Sequence, residues 1–144
     1  MKFLVINGPN LNMMHFTEPG VAGQLDYNGL LDYLELCCTQ MGMEVEFFQS
    51  NHEGAIIDAI QEADTAFDGI VINPGAYTHY SYAIHDALKA VSIPAVEVHI
   101  SAVEKREDFR QVSYARLACF ATITGEGLKG YVHALELLKE HLLH

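Results

Sequence analysis

Basic residues are scarce in this chain: 8 Lys and Arg stand against 19 Asp and Glu, for a formal net charge of -11 over 144 residues. With no basic run, the electrostatic footprint that grips phosphate backbones is missing, and nucleic acid is not an expected partner. Long apolar runs are also lacking. None approaches the roughly 20 residues that span a bilayer, and Phe3-Leu4-Val5-Ile6 after Met1-Lys2 is too short for a signal-peptide core, so no membrane association is expected. Cysteine is sparse too. Cys37 and Cys38 are adjacent on a helical pattern and Cys119 lies in an apolar run, which offers neither a disulfide framework nor metal-ligand spacing. All three are expected to be buried thiols of a cytoplasmic protein.

What is present is a composition of 50% hydrophobic and 19% charged residues, that of a folding globular chain, and the length predicts a single domain over 1–144. Short apolar runs alternate with amphipathic stretches, as in a parallel sheet buried on both faces and linked by crossover helices. The spacing predicts strands at Phe3 to Ile6, Val45 to Phe48, Gly69 to Ile72, Ala95 to His99 and Cys119 to Ile123. Helices are predicted at Asn28 to Gln40, Glu53 to Ala63, Tyr80 to Ala90 and Gly127 to Leu143. This is the count of an α/β, flavodoxin-like, five-stranded parallel doubly wound sheet. Ser50 and Glu53 stand at capping-box spacing before the second helix, and Tyr131, Ala134, Leu135, Leu138 and Leu142 trace an ordinary core face on the last.

One connection is out of scale with the others. Gly8 to Asp26 carries Gly and Pro over a length typical of active-site lids, and it follows the first strand. In open parallel sheets ligands bind beyond the C-terminal strand ends. Three polar clusters fall at those ends: Asn7-Gly8-Pro9-Asn10, Asn73-Pro74-Gly75-Ala76-Tyr77-Thr78-His79 and Glu97-Val98-His99-Ile100-Ser101. Each alone is weak, because Asn, Gly and Pro are turn formers. In an acidic chain that handles a small anion, the few arginines, Arg106, Arg110 and Arg116, carry added weight.

In order and spacing, NGPNLN, QSNHEG, NPGAYTH, EVHIS and KREDFRQVSY, with the stretch from Gly125 to Tyr131, resemble the signature segments of type II 3-dehydroquinate dehydratases from Lys2 to the last helix. The resemblance implies a flavodoxin-like fold, no metal and no organic cofactor, and assembly as a dodecamer built from trimers. It also implies a reaction, the loss of water from 3-dehydroquinate through an enolate to give 3-dehydroshikimate. By the same resemblance His99 is the acid that protonates the leaving hydroxide, and Asn10 stabilises the enolate through a bound water. Asn73, His79 and the Ile100-Ser101 backbone hold substrate hydroxyls and carboxylate, Arg110 clamps them with its guanidinium fork, and Asp86 reaches a neighbouring subunit's site. Arg106 supports the lid. Glu97, two residues before His99 on a strand, shares its face and is placed to hold the imidazole. His52, His85, His133, His141 and His144 are read as structural or surface residues.

The pattern breaks in the lid. The family has an Arg just before the lid's Glu-Pro and a Tyr three residues after that Pro, where this chain has Thr17 and Ala22. A phenol titrates near about 10, and the family relies on the neighbouring cation to ionise it. Tyr27, His15 and Glu18 are candidate replacement bases. His15 and Phe16 also differ from the family's usual Gly and polar or basic residue. Three readings follow: a dehydratase with a substitute base or weak turnover, a catalytically weak or silent paralogue that binds a cyclic hydroxy acid, and an enzyme acting on a related cyclic hydroxy acid.

Overall fold

The structure is a computed structural model that describes residues 1–17 and 23–144. Along the chain come β1 (Lys2–Asn7), a 3-10 turn (Leu11–Met13), the short β2 (Phe16–Thr17) and β3 (Gln24–Leu25), α1 (Tyr27–Gln40), β4 (Glu44–Gln49) and α2 (Glu53–Ala66). There follow β5 (Gly69–Asn73), a 3-10 helix (Gly75–His79), α3 (Tyr82–Ala90) and β6 (Ala95–His99). Three 3-10 turns (Val103–Lys105, Asp108–Arg110, Ala115–Ala118) then lead to β7 (Ala121–Thr124) and α4 (Lys129–Leu143). Five strands pair in parallel in the order β4-β1-β5-β6-β7, which is the flavodoxin-like order. The five predicted strands and four predicted helices all form, with shifted ends.

The period of two along the strands sorts the core onto two faces. Phe3, Val5, Val71, Val96 and Val98 pack beneath α1 and α4 with Leu30, Leu34, Tyr131, Leu135 and Leu138. Leu4, Ile6, Ile70, Ile72 and Ala95 pack beneath α2 and α3 with Ile56, Ile60, Ile84 and Leu88. No described helix is long and apolar enough to cross a membrane.

Several local expectations need correction. The capping box does not form: α2 starts at Glu53 behind His52, which makes no side-chain cap, and Ser50 Oγ accepts from the His52 N–H at 2.9 Å. The start of the helix at Glu53 places this residue too early to reach back, and its carboxylate instead accepts from Ser81 Oγ at 2.6 Å. Ser81 Oγ in turn accepts from the Ile84 N–H and caps α3, which therefore begins at Tyr82 rather than Tyr80. The last helix starts late because Gly125 and Gly127 both have positive φ, 73° and 65°. Of the three free thiols only Cys38 is buried, its pKa pushed up to about 11 mainly by that burial, while Cys37 and Cys119 are partly exposed.

The switch between β1 and β5 is where the first two polar clusters meet. Gly8 N donates to the Asn73 carbonyl at 2.8 Å, and a Cβ on Gly8 would overlap the Pro74 carbonyl. Two backbones therefore touch where a side chain has no room. Gly8→Ala is expected to destabilise the fold by about 1–3 kcal/mol, the cost of overpacking a tight contact, and to lower its urea midpoint. A variant with the parent's midpoint would show that the two turns are not in contact.

Candidate active site

At the C-terminal ends of β1, β5 and β6 lies a cavity of about 300 Å³. Asn10, Asn73, His79, His99, Ile100, Ser101, Arg106 and Arg110 are in its wall, so residues spread over a hundred positions of sequence meet there. Glu97 is just behind the wall. Asp86 is elsewhere, exposed on α3 and 2.9 Å from His85 Nδ1. Thr17 is exposed on β2, and Ala22 and Glu18 lie outside the described residues.

The most constrained pair is on β6. Glu97 has no exposed surface and His99 only 7%, and His99 Nε2 lies 2.7 Å from Glu97 Oε1. The other carboxylate oxygen accepts from Ser113 Oγ at 2.5 Å. A buried carboxylate is tolerated only when its lone pairs are engaged, and both oxygens are. His79 is fixed differently. Its Nδ1 lies 2.7 Å from the Val112 carbonyl, an acceptor only, so Nδ1 carries the hydrogen and Nε2 is left for another partner.

Asn10 takes a left-handed backbone, φ 71°, held by a hydrogen bond from its N–H to Asn51 Oδ1 at 3.0 Å. Asn51 is itself held by Gln49 Nε2, and its carbonyl accepts from the Tyr77 hydroxyl. Asn73 is oriented from both ends, since its Oδ1 accepts from the Gly75 N–H and its Nδ2 donates to the Tyr131 hydroxyl at 3.1 Å. Tyr131 donates onward to Asn7 Oδ1 at 2.6 Å, and Asn7 Nδ2 donates to the Tyr27 hydroxyl. Tyr131 is thus more than a core-face residue: its ring packs in the core and its hydroxyl locks the ends of β1 and β5. Burial pushes the phenols of Tyr131 and Tyr27 above their ordinary value.

The carbonyls of Ile100 and Ser101 accept from Gly127 and Gly125, which fixes that turn. Arg106 Nη1 lies 3.5 Å from Ser101 Oγ. The Arg110 guanidinium sits 4.9 Å from the Phe109 ring centroid and its Nε 3.1 Å from Glu107. That ion pair lacks hydrogen-bond alignment, so Nε is a buried donor with no acceptor. The wall therefore offers amide, imidazole and guanidinium groups suited to a small hydroxylated anion. Among the described residues it contains no carboxylate and no phenol.

Ser113 and Tyr131, like Asn51 and Gln49 behind Asn10, support the site without having been singled out by sequence reasoning. Ser113 lay within KREDFRQVSY without a distinguishing spacing, and the helical period of Tyr131 signalled only a core face. No group of three or more His, Cys, Asp or Glu suited to a metal occurs among the described residues.

A family model described as dehydroquinase class II matches residues 1–139. A 3-dehydroquinate dehydratase of Caldicellulosiruptor saccharolyticus is 54% identical over 142 residues, covering 98% of each chain. A type II dehydroquinase crystal structure from Butyrivibrio crossotus superposes with a TM-score of 0.89 at 55% identity, over 96% of this chain and 97% of that one. One from Propionibacterium acnes gives 0.86 at 37% identity, over 96% and 98%.

Tyr131→Phe is expected to cost about 1–3 kcal/mol at neutral pH, because Asn7 Oδ1 and Asn73 lose a buried partner. Its alkaline behaviour has the opposite sign. Above the ordinary phenol value of 10.0 the unfolded chain releases a proton that the folded parent keeps, so parent stability falls with rising pH. The variant lacks that contribution, and its denaturation midpoint should fall less steeply above pH 10. Parallel slopes for the two proteins would contradict the burial of this hydroxyl.

Proposed function

The chain belongs to the class II dehydroquinase family, and from that premise we propose that it removes water from 3-dehydroquinate to give 3-dehydroshikimate through an enolate, at a rate limited by its altered lid. Family membership supports a hydro-lyase of the dehydroquinate dehydratase type. The observation that carries the finer reading is the buried Glu97–His99 pair at the wall of a cavity that also presents Asn10, Asn73, His79, Arg106 and Arg110.

In this reading a proton leaves the carbon beside the ketone, the electrons pass to the carbonyl oxygen, and the enolate then expels hydroxide as the double bond forms. His99 protonates that hydroxide, with Glu97 compensating the imidazolium. Asn10, preset by its left-handed backbone, serves the enolate oxygen through a water. Asn73, His79 and the Ile100-Ser101 turn hold hydroxyls and carboxylate, and Arg110, whose side chain is in the wall, clamps the same anion.

The first proton transfer is the weak step. The cavity wall lacks a phenol or carboxylate among the described residues, and Thr17 can neither ionise nor supply charge. Tyr27 is a poor substitute, because it lies outside the wall, accepts from Asn7 and has a phenol raised by burial. His15, exposed on the lid arm, and Glu18 remain as alternatives. The same lack of a base favours a second reading, a paralogue that binds a cyclic hydroxy acid with little or no turnover.

Assembly into trimers, and from these a dodecamer, belongs to the proposal. Asp86 is exposed on α3, as a residue serving a neighbour's site must be. Tyr80, Tyr82, Phe109 and Val112, all with relative exposure of 48% or more, provide apolar surface to bury. Native mass measurement should show a closed oligomer; a stable monomer would remove this part of the reading.

Turnover of 3-dehydroquinate, followed as absorbance of the conjugated product, tests the activity itself. Thr17→Arg with Ala22→Tyr should raise kcat far more than either change alone. The tyrosine without its cation stays protonated, and the arginine without a phenol has nothing to activate. The rescue is expected to be partial, because Phe16 is anchored in the core beneath the lid arm. If the parent turns over efficiently and the double variant is no faster, a substitute base is at work.

A further inference from the structure

The hydroxyl of Ser113 has an orientation imposed by its neighbours. Ser113 is 9% exposed in the segment between the last two 3-10 turns before β7, and its Oγ accepts from the Arg116 N–H at 3.2 Å. With that lone pair engaged by a backbone donor, the hydroxyl hydrogen is directed at Glu97 Oε2, 2.5 Å away. The opposite oxygen, Oε1, is 2.7 Å from His99 Nε2. Two donors thus converge on the Glu97 carboxylate: the Ser113 hydroxyl, itself oriented by the Arg116 amide, on one oxygen and the His99 ring on the other.

We propose that Ser113 is a positioning residue for the dehydration, one that keeps the proton of the Glu97–His99 pair on the imidazole. The inference rests on the reading of His99 as the acid. A donated hydrogen bond favours the ionised form of a carboxylate. Without it, a carboxylate with no exposed surface either takes the proton from His99 or turns Oε1 away from Nε2. Both outcomes lower the population of imidazolium, the form that protonates a leaving hydroxide. The Cys119 thiol is pushed up to about 12, first by its partial burial and then by the Glu97 charge, so it remains neutral and does not compete.

The test compares Ser113→Ala, Ser113→Thr, Glu97→Gln and the Ser113→Ala/Glu97→Gln double variant. Ser113→Ala should lower kcat about tenfold, as expected for loss of a hydrogen bond to a charged group, with KM little changed. The alkaline limb of its kcat profile should move to lower pH. Ser113→Thr, which keeps the hydroxyl, should restore both, and Ser113→Ala should add nothing in the Glu97→Gln background. If the loss is instead additive in that background and the profile is unmoved, Ser113 merely caps the turn at Arg116 and the proposal fails. Titration of the His99 ring nitrogens by NMR needs no turnover. A midpoint lowered in Ser113→Ala supports the coupling even if the parent proves inactive, in which case the functional reading alone is lost; an unchanged midpoint overturns the proposal regardless of activity.

Discussion

A carboxylate sealed inside a parallel sheet imposes conditions on everything around it. Glu97 is in the middle of β6 with Ile72 and Thr122 as its strand neighbours, and no part of it reaches solvent. An unpaired charge in that position costs several kcal/mol, so the surrounding chain must bring polar partners to both oxygens. One partner, His99, comes from the same strand two residues on. The other cannot come from a strand or from the apolar faces of α2 and α3, and it has to be delivered by the irregular segment that crosses the sheet end. That segment is thus held by a polar tie to Glu97 as well as by apolar burial of Val103 and Ala115.

Three consecutive residues of the segment show how closely it is tied down. The Val112 carbonyl faces His79 Nδ1, the Ser113 hydroxyl reaches Glu97, and the Tyr114 N–H donates to the Thr78 carbonyl at 3.0 Å. Each bond ends on a different group of the cavity or its support. The neighbouring turn carries Arg110, so this guanidinium and the ties to His79 and to the Glu97–His99 pair share one short stretch of backbone. A displacement at any of the three ties would be transmitted to the other two.

The fold was legible because strands buried on both faces, interleaved with helices of period 3.6, leave an unambiguous pattern. Phe3 to Ile6 and Gly69 to Ile72 could be read as buried strands from their runs alone. The polar residues at the strand ends could be read as a cluster because parallel topology brings such ends together. Ser50 and Glu53 misled because their spacing matched a cap, whereas the helix starts at Glu53 itself, whose carboxylate accepts from Ser81. Tyr131 and Ser113 were illegible as site residues. Each acts through a single oxygen aimed at a residue distant in sequence, and no local period encodes that aim. The 3-10 turns from Val103 to Ala118 were hidden for a related reason, since their shape comes from tertiary ties rather than propensity.

The Tyr131 to Asn7 hydrogen bond joins residues 124 apart. A contact of such separation closes nearly the whole chain, and its entropic cost must be met before it contributes. During synthesis β1, β5 and β6 can emerge and pair while α4 is still being made. Asn7 Oδ1 and Asn73 Nδ2 then lack the Tyr131 hydroxyl that joins them. The link between the ends of β1 and β5 therefore closes only once α4 has been made, and a nascent chain with a nearly complete sheet still lacks it.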